Sequence, residues 1–414
     1  MAADAVSDQN KTLPTSVEST VLMEFELWYL VAVPLLFAAG WYLRGYDAKQ
    51  RRKETENLPD NYFRGLSLLL SNEPDKAIDA FIEVVKIDPE TIELHHALGN
   101  LFCKRGEFDR AIRIHTHLIN RADLPDEDRL RALSELANDY LKAGIYDKAI
   151  ECFERLSKNG AYRLDARRSL LRIRCTEHDW NGAIEVARRL EKEAAEDHGT
   201  DISHFHCELA AAAARAKNAA EAEREVNLAL LEQPNSPRAL MLAGDFALAA
   251  GDARRAVESW EALRKHSPDH FPLVVRRLVK GYEALGDEEG AERTIRAAMA
   301  ECPTSEVVEE AMKRAFRKGG EKEAGAIVGQ AMKSHPTLGN LSVAMELRQL
   351  VAPDDPQLQG IAGMLKKESD RQGRYQCRKC GFLSHSYLWQ CPGCGGWDTY
   401  PTLRVQDMSV RKKG

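Results

Sequence analysis

GDARRAVESWEALRKHSP at residues 251–268 and GDEEGAERTIRAAMAECP at residues 286–303 share one register. In each, a glycine stands five residues before an alanine (Ala256, Ala291) and a proline twelve residues after it (Pro268, Pro303). The alanine recurs at Ala77, Ala111, Ala149, Ala183, Ala222 and Ala324, and the eight are separated by 34, 38, 34, 39, 34, 35 and 33 residues. Gly106, Gly144 and Gly319 fill the first position elsewhere, and Pro89, Pro234 and Pro336 the last. Each residue type has a physical task. Glycine tolerates the positive φ of a tight turn between two helices, and proline ends the second helix. The alanine suits the point where two helices cross too closely for a larger side chain.

A period near ~34 residues is that of tetratricopeptide helix pairs, which bury their apolar sides only against their neighbours. The predicted fold is therefore all-α: a tetratricopeptide-repeat superhelix over 58–350, with about eight repeats and a helical cap from Leu338 to Leu350. Two spacings are long, and the extra residues fall in Ala122–Arg129 and Glu196–Asp201, which read as loops. Pro353 and Pro356 then interrupt the pattern, and residues 351–373 read as a helical connector.

Upstream of the repeats, Leu27 to Leu43 carries no charge. As a helix this run is ~25 Å long, within the range that crosses a bilayer. Trp28, Tyr29, Trp41 and Tyr42 sit at its two ends as interfacial residues do. Residues 23–45 are thus an expected transmembrane helix and 46–57 a basic juxtamembrane linker. Glu24 and Glu26 precede the run and Arg44, Lys49, Arg51, Arg52 and Lys53 follow it. That order argues against a cleaved signal peptide and sets the bulk of the chain on the cytoplasmic side, the N-terminus outside. The basic linker also suits contact with anionic inner-membrane lipid. Residues 1–22 read as a disordered extension, or as the result of a start assigned upstream of Met23.

The net charge of −6 makes nucleic acid a poor partner. Nine cysteines are present. Cys103, Cys152, Cys175, Cys207 and Cys302 are scattered singly and read as small buried apolar residues, as expected in a reducing compartment. The other four form Cys377-Arg-Lys-Cys380-Gly381 and Cys391-Pro-Gly-Cys394-Gly395. Two such knuckles bring four thiolates to one ion, so Cys377, Cys380, Cys391 and Cys394 are expected to be metal ligands. Zinc is the default ion, and iron fits four sulfurs as well. Phe382, Leu383, Tyr387, Leu388, Trp389 and Trp397 are the expected core of a module at 374–405, with one or two of the aromatics free to pack on the last repeats. A unit that small folds only with its staple. Residues 406–414, with Arg411-Lys412-Lys413, read as a solvated tail.

His95-His96, His115/His117 and His204/His206 cannot chelate as sequence neighbours on one helix and read as structural. No nucleophile elbow, P-loop or zincin motif is found, so no catalytic residue and no organic cofactor is expected.

An N-terminal anchor, tetratricopeptide repeats and a rubredoxin-like cysteine module, in that order, resemble the lipopolysaccharide assembly protein B family of Gram-negative bacteria. The runs that carry the resemblance are LLSNEPDKAIDAF at 69–81, GNLFCKRGEFDRAIRIH at 99–115, HFHCELA at 204–210, HPT at 335–337 and RYQCRKCGF at 374–382. The resemblance implies a non-enzymatic, inner-membrane regulator of lipopolysaccharide synthesis. It would act with the membrane-anchored AAA+ protease FtsH to promote turnover of the deacetylase that commits precursors to lipid A. It also implies the same four cysteines as metal ligands. Two other readings stand beside it: a general assembly scaffold for envelope complexes, and an electron carrier built on a four-sulfur iron. Homo-oligomerisation is compatible with all three.

Overall fold

The computed structural model describes residues 35, 38, 64, 65, 67, 68, 73–87, 92–372, 374–405 and 407. All of the expected anchor except Leu35 and Ala38, the basic linker, the N-terminal extension, Pro89 and most of the tail lie outside the described residues. Among those described, no helix is long and apolar enough to cross a membrane. The chain divides into two compact units, 1–143 and 144–414.

The first unit contains α1 (Pro74–Ile87), α2 (Ile92–Arg105), α3 (Phe108–Ile119) and α4 (Asp126–Ala143). The second contains α5 (Tyr146–Leu156), α6 (Arg163–Thr176), α7 (Trp180–Ala194), α8 (Gly199–Arg215), α9 (Ala219–Glu232), α10 (Pro237–Ala249) and α11 (Ala253–His266). A 3-10 turn at Pro268–His270 leads to α12 (Phe271–Ala284), α13 (Glu288–Glu301), α14 (Ser305–Ser334), α15 (Leu338–Val351) and α16 (Pro356–Gln372). Two short antiparallel strands, β1 (Tyr375–Gln376) and β2 (Leu383–Ser384), complete it. The observed fold is the expected all-α helix-pair array with a small cysteine ribbon at its end.

Every alanine of the repeat register is at most 2 % exposed. Four residues after each of them stands another buried side chain: Phe81, Phe153, Ala187, Val226, Trp260, Ile295 and Val328 are all apolar, whereas Ala111 is followed by His115. The large ones need space on the facing helix. A Cβ on Gly65 would lie 2.8 Å from the Phe81 ring, and one on Gly244 2.3 Å from Trp260 Nε1.

The prolines act one residue earlier than themselves. Gln233, Ser267, Cys302 and His335, each immediately before a register proline, have φ between −137 and −149°, out of the helical region. That is the steric demand a proline ring makes on its predecessor. Asp179, Asn218, Asp252 and Asp287 cap the following helices by accepting from backbone N–H groups three residues on, at 2.8–3.3 Å.

Three features differ from the sequence reading. The positive φ of the eighth repeat falls on Gly320 (φ 73°) rather than Gly319, splitting α14 into two helices. Gly319 keeps its helical place, packed against Glu323. The long spacings do not add only loop: α4 starts at Asp126 and α8 at Gly199, so the extra residues also lengthen these helices to 18 and 17 residues. Finally, the turn position is left-handed even without glycine, at His178 (φ 57°) and Lys217 (φ 61°).

A left-handed residue with a Cβ costs ~1–2 kcal/mol. Replacing it by glycine recovers this, less ~0.4–1 kcal/mol for the freer unfolded chain. Lys217→Gly is therefore expected to stabilise the protein by up to about 1 kcal/mol. Gly251→Ala, at φ 87° with open space around its Cβ position, is expected to destabilise it by roughly 1 kcal/mol, the strain less the same unfolded-chain term. Urea midpoints at unchanged slope check both; equal shifts of the same sign would contradict the assignment.

Candidate metal centre and its docking surface

Each cysteine knuckle is a tight turn closed by its glycine. The Gly381 N–H donates to the Cys377 carbonyl at 2.9 Å and the Gly395 N–H to the Cys391 carbonyl at 2.8 Å, with φ of 79° and 68°. The Cys377 N–H also donates to the Phe382 carbonyl at 2.9 Å and the Cys391 N–H to the Gly396 carbonyl, fixing the direction of each sulfur. The four sulfurs lie within 4.8 Å of one another, with Cys377–Cys394 at 3.8 Å and Cys380–Cys391 at 3.5 Å. Four sulfurs ~2.3 Å from a tetrahedral ion are about 3.8 Å apart, so the set can bind one metal ion.

The surroundings favour thiolate at Cys377 and Cys391, whereas at Cys380 the Phe382 amide is outweighed by burial and the three neighbouring sulfurs, which push the thiol up to about 12. Burial resists ionisation of Cys377, but the Thr399 hydroxyl and the backbone amides of Lys379 and Cys380 outweigh it and bring the thiol down to about 6. Burial likewise opposes the Cys391 charge, and the Tyr400 hydroxyl, 3.6 Å from its sulfur, helps to lower it. The scattered cysteines behave in the opposite way: burial pushes Cys175 and Cys207 up to about 12, leaving them as inert packing.

The ribbon has little core. Cys377, Cys391 and Tyr400 are its buried members, with Tyr375, Tyr387 and Leu388 against them. Phe382 and Leu383, expected inside, are 43 % and 45 % exposed. Trp389 and Trp397 pack onto the helices, Trp389 also meeting Tyr387 of the ribbon edge-on at 5.0 Å. Neither meets the last repeats: their partners in the array belong to α7, α8, α10 and the turn before α12.

Trp397 stacks on His204 of α8 at 4.6 Å between ring centres and 10° between planes. It meets Trp180 of α7 and Phe205 of α8 edge-on, both at 6.1 Å. Arg238 of α10 lies 5.7 Å from the Trp397 ring centre and 5.9 Å from that of Trp389, a cation–π clamp held by its ion pair with Glu208 at 2.7 Å. Trp389 stacks on His270 at 5.7 Å. His204 Nε2 is 2.8 Å from Asp398 Oδ2, and Asp398 is held at φ 51°. A strained backbone thus aims the carboxylate at the histidine. Further along, Thr402 donates to the Asp269 carbonyl and Arg404 pairs with Glu306 at 2.6 Å. His204 is structural, as its position suggested, while its role in holding the ribbon had no sequence signal other than the HFHCELA run.

His206 pairs with Glu225 at 2.7 Å and is likewise structural. His95 and His117, on facing helices, stack at 6.2 Å. His96 and His115 also face each other across a helix pair, a juxtaposition invisible when only neighbours in sequence are compared.

Removing the Trp397 ring is expected to cost roughly 2–3 kcal/mol of docking, below the full-burial value because the ring is half-buried. In Trp397→Ala, hydrogen exchange at β1 and β2 should rise while the bound metal stays; metal lost together with protection would contradict independent folding of the centre. Asp407 supplies a pH test. Burial and the Glu306 carboxylate, opposed by Arg404, push its carboxyl up to about 6 from an ordinary 3.8. A raised carboxyl adds stability that is complete below pH 3.8 and is lost as pH rises through about 6. Asp407→Asn should flatten that slope between these limits in thermal melts.

Comparison with known proteins fits the order of parts. A family profile described as "Rubredoxin metal binding domain" matches residues 375–400, and one described as "Tetratricopeptide repeat" matches 94–130. Lipopolysaccharide assembly protein B of Escherichia coli (strain K12) is 33 % identical over 393 residues, covering 92 % of this chain and 99 % of that one. The protein of the same name from Haemophilus influenzae is 28 % identical over 395 residues, with the same coverage of both chains. With a repeat array, a cysteine ribbon and this identity across nearly the whole of both chains, the protein belongs to the lipopolysaccharide assembly protein B family.

Proposed function

We propose that the protein is a non-enzymatic scaffold of the bacterial inner membrane that regulates lipopolysaccharide synthesis by bringing a cytosolic client to a membrane-anchored protease. The observation that carries this reading is the ribbon docked along the first helices of successive pairs, α8, α10 and the start of α12. Helix-pair arrays use such faces to hold extended segments or helices of other proteins. A ribbon laid on part of that face leaves neighbouring first helices for a partner and fixes their spacing.

The uncharged run at 27–43 supports the membrane assignment, with the N-terminus periplasmic and the repeats in the cytosol. Tethering raises the local concentration of a bound client near other membrane proteins without any new contact. By family membership, the protease is FtsH and the client the deacetylase that commits precursors to lipid A. The ribbon's ion is zinc in this reading. It staples a module with little core of its own and needs no redox chemistry to do so.

Deleting residues 1–45 at native expression should leave the array folded and let the deacetylase accumulate, read by immunoblot with and without active FtsH. A soluble form that keeps deacetylase levels normal would contradict the proximity mechanism. Elemental analysis should find zinc at the four-cysteine centre in a colourless protein; a coloured, reversibly reducible centre would replace this reading by electron transfer.

A further inference from the structure

Within the first unit, α2, α3 and α4 bring together a second set of metal-ligating side chains that the cysteine centre does not involve. One nitrogen each from His96 and His115 and a carboxylate oxygen of Glu135 lie within 4.8 Å of one another. We propose that His96, His115 and Glu135 form a second metal site, taking a divalent transition ion of the zinc class.

The arrangement has what such a site requires. Both imidazoles are fully buried. His96 Nδ1 contacts Glu135 Oε2, and His115 Nε2 faces the same oxygen at 3.1 Å. That spacing is near the ~3.3 Å edge of a tetrahedron whose nitrogen and oxygen ligands sit 2.0–2.1 Å from zinc. His115 Nε2 is fully buried and has no hydrogen-bond partner beyond this contact with Glu135, so it points into the cluster. Its other nitrogen is already committed: Nδ1 lies 2.6 Å from Asp139 Oδ2. A histidine that donates from one nitrogen to a carboxylate offers the lone pair of the other to an ion, in a fixed orientation. Glu135 is oriented in the same way, its Oε1 accepting from Asn100 Nδ2 at 2.9 Å while Oε2 faces the histidines. Two imidazoles and a carboxylate suit zinc better than calcium or magnesium, which take oxygen ligands.

The surrounding packing is built around the histidine. His115 stands where the other repeats place a buried apolar side chain, and Gly99 makes room for it: a Cβ there would fall 2.3 Å from His115 Nε2. Two carboxylates beside this position are costly in a plain core and are stabilised by a bound cation. The ion would sit between His115 and Glu135, where the two side chains now face each other directly.

The full-length chain, purified without a metal-affinity tag and dialysed, should retain a second equivalent of zinc beyond that of the four cysteines. Reconstitution of the metal-free chain with Co²⁺ separates the two sites. Cobalt at the cysteines gives intense sulfur charge-transfer absorption, and the second equivalent should add none. His96→Leu and Glu135→Gln should abolish the second equivalent, keep the sulfur band and leave the circular dichroism unchanged. Asp139→Asn keeps all three ligands and should weaken the second zinc by ~10–100-fold. A wild-type chain that binds zinc only at the cysteines, or a second equivalent undiminished in either ligand variant, would show the cluster to be an ion-free hydrogen-bonded network and overturn the proposal.

Discussion

Close approach of two helices at a buried alanine is the constraint on which this protein is built. None of the helix pairs has a closed core. Within each unit a pair's apolar side has nowhere to go except its neighbour, and the buried alanines allow the backbones near enough for the filling residue four positions on to interlock. Phe81 under Gly65 and Trp260 under Gly244 show how tight that fit is. The turn glycines and the prolines then set where each helix stops, so length and packing are fixed by the same short motif.

Much of the array was legible because its rules are local. Proline acts on its predecessor, and the capping side chains act three residues ahead, so both can be read from a string of letters. Where local logic stopped, so did the reading. Gly319 and Gly320 are adjacent glycines, and only packing decides which takes the positive φ. The segments around Pro125 and Gly199 have loop-like composition, yet tertiary contacts pull part of each into a helix. His178 and Lys217 occupy left-handed turns that their residue types disfavour, because the helices on both sides fix the turn.

The ribbon divides along the same line. The cysteine knuckles are short-range chemistry, and the structure brings their four sulfurs together as the spacing implied. The destination of the aromatic side chains is long-range. Asp398 meets His204 across 194 positions of sequence, and nothing in either neighbourhood announces the other. The His96, His115 and Glu135 cluster was missed for a related reason: its members come from three helices, and each histidine stands beside a decoy, His95 or His117, that draws attention to pairs along one helix.

Trp180 and Phe205 contribute to the array's own packing and at the same time form the seat for Trp397. A chain that ended before residue 374 would lay that seat bare and present an oily depression in the middle of a folded, soluble-looking repeat. Quality-control proteases and chaperones recognise such surfaces. The ribbon, the last part of the chain to be made, therefore covers an apolar surface that the repeats before it build.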